Sequence, residues 1–183
     1  MSDEGHTAKK MARNDIRLKD NGPYSAVPTW EFSLIPATPI SIKMGEPAKL
    51  TNNSGGTNPI LFAAADPERG TDLVLGIAAS DSTESATLAG VVQLYKPLPG
   101  IVWQCKALTA AAADTIGEIN NLKGKKVTVD LTSSTFTIAT AATYQSFNGL
   151  IIVGGDETNS TIFFEIAQTV TLHGSGISQG IMA

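Results

Sequence analysis

Turn-forming residues interrupt this chain at short intervals, and the runs left between them are too short for long helices and rich in β-branched side chains. TNNSGGTNP (51–59) and DPERGTD (66–72) are loops by their Asn, Gly, Pro and Asp content. Around and after them come PILFAAA, LVLGIAAS, GVVQLYKPL, GIVWQCKAL, KKVTVDL, TFTIAT, LIIVGG and STIFFEIAQTVTLH. Each has the length and composition of a strand. Many short strands at this spacing predict an all-β fold, a mainly antiparallel barrel or sandwich. Val127, Val129 and Leu131 alternate with Lys126, Thr128 and Asp130, which predicts one buried face and one wet face. The unbroken apolar run Leu150–Val153 predicts a central strand covered on both sides.

One short helix is expected over 114–123, DTIGEINNLK. Thr115 and Glu118 have capping-box spacing, Ile116, Ile119 and Leu122 share a side, and Gly124 is placed to end it. Gly117 weakens it by roughly 1 kcal/mol relative to Ala. The N-terminal 45 residues read differently. Five of the 13 Lys and Arg residues precede residue 20, mixed with acids, and Pro23, Pro28, Pro36, Pro39 and Pro47 oppose a helix or a central strand. The expected organisation is an extended arm (1–45), a β-rich body (46–173) and a Gly-rich C-terminal tail (174–183).

Charge and cysteine content narrow the function. A net charge of -4 opposes a general nucleic-acid binder, which would rely on neutralising phosphates. One cysteine excludes an intrachain disulfide framework and a multi-Cys zinc site. No stretch has the length of a membrane span or the apolar core of a signal peptide, so a soluble protein is expected. Cys105 shares a strand face with Trp103, the setting of a packing residue more than of an activated thiolate. The two histidines, His6 and His173, lie near opposite ends, and a Ser-His-Asp or Cys-His site would require His173 to fold back. VGGDETNST (153–161) resembles a phosphate loop only until its missing Lys and its two acids are counted; a hairpin turn fits better. Asp66, Glu68 and Asp72 could offer oxygens to calcium, but without the spacing of an EF-hand loop. Asp81 and Glu84 sit among small polar residues, as in a solvated loop. Neither a catalytic residue, a metal nor a cofactor is expected.

The phrases GIAASDSTESATLAGVVQLYKPLPGIVWQCKALT, LKGKKVTVDLTSSTFTI and NGLIIVGGDETNSTIFFEIAQTVTL together resemble the head decoration, or capsid cement, proteins of tailed bacteriophages. The resemblance covers roughly residues 70–172 and rests on the arrangement of strand phrases. It implies a non-enzymatic virion protein on the capsid exterior that binds the major capsid protein and other copies of itself, as a homo-oligomer such as a trimer. Neither nucleic acid nor membrane is an implied partner. The arm would then clamp neighbouring subunits, with Trp30, Phe32, Leu34 and Ile35 as its anchors. A head-fibre base, a tail-tube component or a receptor-binding β module is the alternative reading, and a β-sandwich hydrolase or lectin a third.

Overall fold

The structure, a computed structural model, describes residues 16–34, 41–51, 59–83, 90–140 and 144–171. The strands in chain order are β1 (Arg17–Asp20), β2 (Thr29–Leu34), β3 (Pro47–Thr51), β4 (Ile60–Leu61), β5 (Asp72–Ala78), β6 (Gly90–Tyr95) and β7 (Val102–Lys106). After the helix α1 (Ile116–Leu122) follow β8 (Lys126–Val127), β9 (Val129–Thr132), β10 (Thr135–Ile138), β11 (Leu150–Asp156) and β12 (Thr161–Ile166). Among the described residues they make two five-stranded sheets, sheet A in the order β1-β7-β12-β11-β8 and sheet B in the order β2-β6-β5-β3-β4, plus a β9-β10 ribbon. All paired strands run antiparallel, and neither sheet closes on itself. The all-β class and the single short α-helix therefore agree with the sequence reading, in an open rather than a barrel form.

Alternation builds sheet A. Trp103 and Cys105 of β7 lie opposite Phe164 and Ile162 of β12, and all four are buried. Leu150 and Ile152 of β11 extend the same apolar face, which packs with Val129, Phe136 and Ile138 of the ribbon and with Val74 and Ile77 of β5. The opposite face is wet or half-buried. Val153 is 38% exposed, so β11 is not the doubly covered strand that its apolar run suggested. The reason is its place: β11 belongs to a sheet with only one face on the core.

The doubly covered strand is β5, in which every residue from Asp72 to Ala78 is buried. Val74 and Ile77 join the core under sheet A, while Leu75 and Ala78 join a second core with Leu34, Ile42, Ala48, Val92 and Leu94. A bulge makes this possible, since the neighbours Ala48 and Lys49 of β3 face Gly76 and Val74, leaving Leu75 as the extra residue. Gly76 has φ +147, and a Cβ there would lie 2.0 Å from the Tyr95 carbonyl oxygen. Glycine alone lets β5 come this close to β6.

The segment expected to be an arm is woven into both sheets where it is described. β1 pairs with β7 and β2 pairs with β6, each as the outermost strand of its sheet. The flanking prolines that argued against strands exclude only central ones, and an outermost strand tolerates them. Ile16, the first described residue, donates its N–H to the Gly45 carbonyl, so the described part of the expected arm is hydrogen-bonded to the body. Residues 1–15, Ile35 and the tail 174–183 lie outside the described residues.

The helix begins as expected, with Thr115 at its N-cap accepting from the Glu118 N–H at 3.3 Å and its hydroxyl donating to Glu118 Oε2 at 3.0 Å. Ile119 and Leu122 are buried against sheet A's core, but Ile116 is 59% exposed and does not join them. Seven residues of helix cannot turn three apolar positions onto one contact when the first lies at the exposed N-terminal end.

Candidate functional site

Cys105 is buried, and its thiol donates to the Phe136 carbonyl oxygen at 3.3 Å, in contact with the ribbon rather than solvent. Burial among apolar side chains gives a thiolate no support. The 153–161 stretch is a hairpin between β11 and β12 in which the Asp156 carboxylate accepts from Thr158 N–H at 3.0 Å and from Asn159 Nδ2 at 2.7 Å. These bonds, with Asn159 first, hold the Asp156 carboxyl below the ordinary range. The acid closes a turn. Beside it, an open hollow of about 360 Å³ is lined by Arg17, Gln104, Cys105, Lys106, Asp156, Asn159 and Thr161. Lys106 donates to the Asn159 carbonyl, and Lys19 sits 4.8 Å from the centre of the half-buried Phe163 ring.

Of the four expected anchors, Trp30, Phe32 and Leu34 come together on one face of β2, and Ile35 is outside the described residues. Trp30 and Phe32 meet edge to face at 5.3 Å, and the Trp30 Nε1–H donates to the Leu75 carbonyl at 2.8 Å. Lys96 lies 5.5 Å from the indole centre. Leu34 is buried, while Trp30 and Phe32 are half-buried. The three hold β2 to its own sheet, and the two rings still present part of their surface outward.

Sequence reasoning missed Lys49. It stands on β3 between Ala48 and Leu50, where an alternating strand would turn a charge outward, yet it is 6% exposed. Its Nζ lies 2.5 Å from Asp66 Oδ2 and 2.7 Å from Asp72 Oδ1. Asp72 is fully buried and Asp66 is 8% exposed. Backbone donors complete the cluster: Ala63 N–H reaches Asp66 Oδ2 at 2.5 Å, and Glu68 N–H reaches Asp72 Oδ2 at 2.9 Å. Burial works against the Lys49 charge, but the two carboxylates outweigh it and raise its pKa above the ordinary 10.5. Burial also raises the Asp66 carboxyl, and the Lys49 and Ala63 donors only partly offset it. The acids weighed as calcium ligands thus surround an ammonium instead, with Glu68 contributing its backbone. The signal in the sequence was only that spacing of acids; nothing around Lys49 marks it as inward.

The cluster sits where three elements meet. Ala65 N–H donates to the Val129 carbonyl and Val129 N–H to the Asp66 carbonyl, tying the 62–71 loop to the ribbon. Gly149 N–H donates to the Pro67 carbonyl and Arg69 N–H to the Phe147 carbonyl, tying the same loop to the approach of β11. Asp81 accepts from Met44 N–H at 2.9 Å, a loop contact, while Glu84, His6 and His173 lie outside the described residues.

Among the described residues, no group of three or more His, Cys, Asp or Glu side chains is placed to hold a metal ion, and no helix is long and apolar enough to cross a membrane. Fold and surface together define an all-β protein of open antiparallel sheets with a buried Lys-Asp-Asp cluster. No protein-family model matches the chain, and no curated protein matches it.

Proposed function

We propose that this protein is a structural component of a bacteriophage virion that binds the outer surface of the capsid and stabilises contacts between major capsid protein subunits. What supports the reading is that the three strand phrases resembling decoration proteins contribute the end of β5 and all of β6 to β12, which pack on the two apolar cores of the body. The outermost strands β1 and β8 of sheet A, and β2 and β4 of sheet B, supply backbone groups suited to adding a strand from a neighbour. The half-exposed Trp30 and Phe32 rings on β2 supply aromatic contact area beside such an edge. The body docks as a small homo-oligomer, and many modest contacts repeated over the shell give avidity.

Because Arg17–Asp20 and Thr29–Leu34 form strands of the two sheets, the clamp assigned to the arm falls to the segment before residue 16. Co-sedimentation with expanded, DNA-free capsids tests the reading directly. The full chain is expected to pellet with the capsids. A chain lacking residues 1–15 is expected to bind at least about tenfold more weakly while keeping its fold, the signature of a lost multivalent contact. Failure of the full chain to bind capsids rules the reading out, and equal binding by the shortened chain rules out the clamp.

A further inference from the structure

We infer that Lys49 and Asp66 condense into an intramolecular amide, an isopeptide cross-link between strand β3 and the 62–71 loop, with Asp72 as the proton carrier. The geometry of the cluster has the parts that this reaction requires. A primary amine lies 2.5 Å from a carboxyl oxygen, a second carboxylate lies 2.7 Å from the same amine, and all three side chains are shielded from solvent. Holding the two reactants in contact replaces a bimolecular encounter with a unimolecular step. The Ala63 N–H already donates to Asp66 Oδ2, the oxygen on which negative charge develops when nitrogen attacks the carboxyl carbon. The Glu68 N–H holds Asp72 by its other oxygen, leaving Oδ1 on the amine.

The step balances within the cluster. One proton passes from the Lys49 ammonium to the Asp66 carboxylate and comes to rest on Oδ1, the oxygen that will leave, giving a neutral amine and a neutral acid. The two carboxylates hold Lys49 in its charged form and work against this exchange, while burial, which raises the Asp66 carboxyl, works for it. Nζ attacks the Asp66 carbonyl carbon, forming the C–N bond. Asp72 takes a second proton from nitrogen and delivers it to Oδ1, the C–Oδ1 bond breaks, and water leaves. The third proton remains on the amide nitrogen, facing Asp72, which ends ionised as it began. No oxidant or cofactor enters. The product replaces a costly buried ion pair with a neutral amide and closes a loop through residues 49–66, joining the β3 side of sheet B covalently to the segment that straps both sheets together.

Intact-mass spectrometry of the folded full-length protein tests this, after allowing for N-terminal processing. The expected mass is about 18 Da below the sequence mass, one water. Trypsin is expected to leave residues 44–69 as a single peptide, because an acylated Lys49 is no longer cut. Lys49→Arg and Asp66→Ala are expected at full mass. Asp66→Asn is expected to cross-link with loss of ammonia, about 17 Da. Asp72→Asn is expected to form the bond about 100-fold more slowly, the scale of a lost general acid-base group. Folded wild-type protein at full mass, yielding separate 44–49 and 50–69 peptides, overturns the inference. A bond mapped to Asp72 in place of Asp66 overturns the assignment of partners.

Discussion

In sheet A a strand shows one face to the core and the other outward, whereas β5 of sheet B is enclosed on both faces, begins with Asp72 and has Lys49 and Asp66 beside it. Sheet A is therefore held mainly by apolar packing of alternate residues. Sheet B also depends on close backbone fit at Gly76 and on charged groups taken out of water. A sheet with one wet face can place its polar residues outward. A doubly covered strand has no such outlet, so its neighbours must satisfy any polar group locally.

That difference can be broken most forcefully from the side of sheet A. Phe164 is fully buried between sheet and ribbon, and Phe164→Ala is expected to cost about 4 kcal/mol in denaturant unfolding. A cost near 1 kcal/mol would mean that the core collapses around the gap and that packing is not what holds sheet A. Gly76→Ala probes sheet B by adding one methyl group where the Tyr95 carbonyl stands 2.0 Å away. Forced separation of β5 and β6 is expected to cost about 3 kcal/mol, combining strain with overpacking. A neutral result would show that the two strands part easily and would erase the contrast.

Trp30→Ala sharpens the same comparison at the outermost strand of sheet B. The ring is only half-buried, but its Nε1–H bond to Leu75 fastens β2 across β6 to the bulge of β5. A loss of about 2 kcal/mol is expected, made up of partial burial and one hydrogen bond. If the stability loss is this size and capsid binding also falls, Trp30→Phe separates the roles, since it keeps an aromatic surface and removes only the N–H.

Much of sheet A is legible in the sequence because period-two alternation reports which residues point inward. Trp103 and Cys105, or Ile162 and Phe164, can be assigned a face from spacing alone. The hairpin at Asp156 and the cap at Thr115 are equally local, being set by residues within a few positions of one another. Sheet B resists such reading for three physical reasons. Its bulge at Leu75 breaks the alternation in β5, so Val74 and Ile77 face one core and Leu75 the other. Its outermost strand β2 gains its partner β6 from about 60 residues away, which proline spacing does not encode. The Lys49 cluster joins β3, a loop and β5, and an isolated lysine in an apolar strand looks like any surface lysine until those carboxylates are seen to converge on it.

The smallest expected effect lies outside both sheets, at the helix cap, and tests whether locally encoded features behave independently of the sheet contrast. Thr115→Ala removes an acceptor for the Glu118 N–H and a donor to the Glu118 carboxylate. A cost of about 1 kcal/mol at neutral pH is expected, the usual scale for an N-cap. Hydrogen bonding to Asp114, and then to Thr115, holds the Glu118 carboxyl below its ordinary 4.5, so that contribution is complete above 4.5 and is lost as pH falls through the folded value. Asp114 is raised, chiefly by its hydrogen bond with Glu118, so its own contribution runs in the opposite sense and narrows the window. The difference between wild type and Thr115→Ala should thus shrink in acid, leaving the backbone part of the cap. A difference that stays constant from neutral pH down through that range would mean that the carboxylate half of the capping box adds nothing to the helix. A double variant with Phe164→Ala should cost the sum of the two single changes, because the cap and the core residue share no partner.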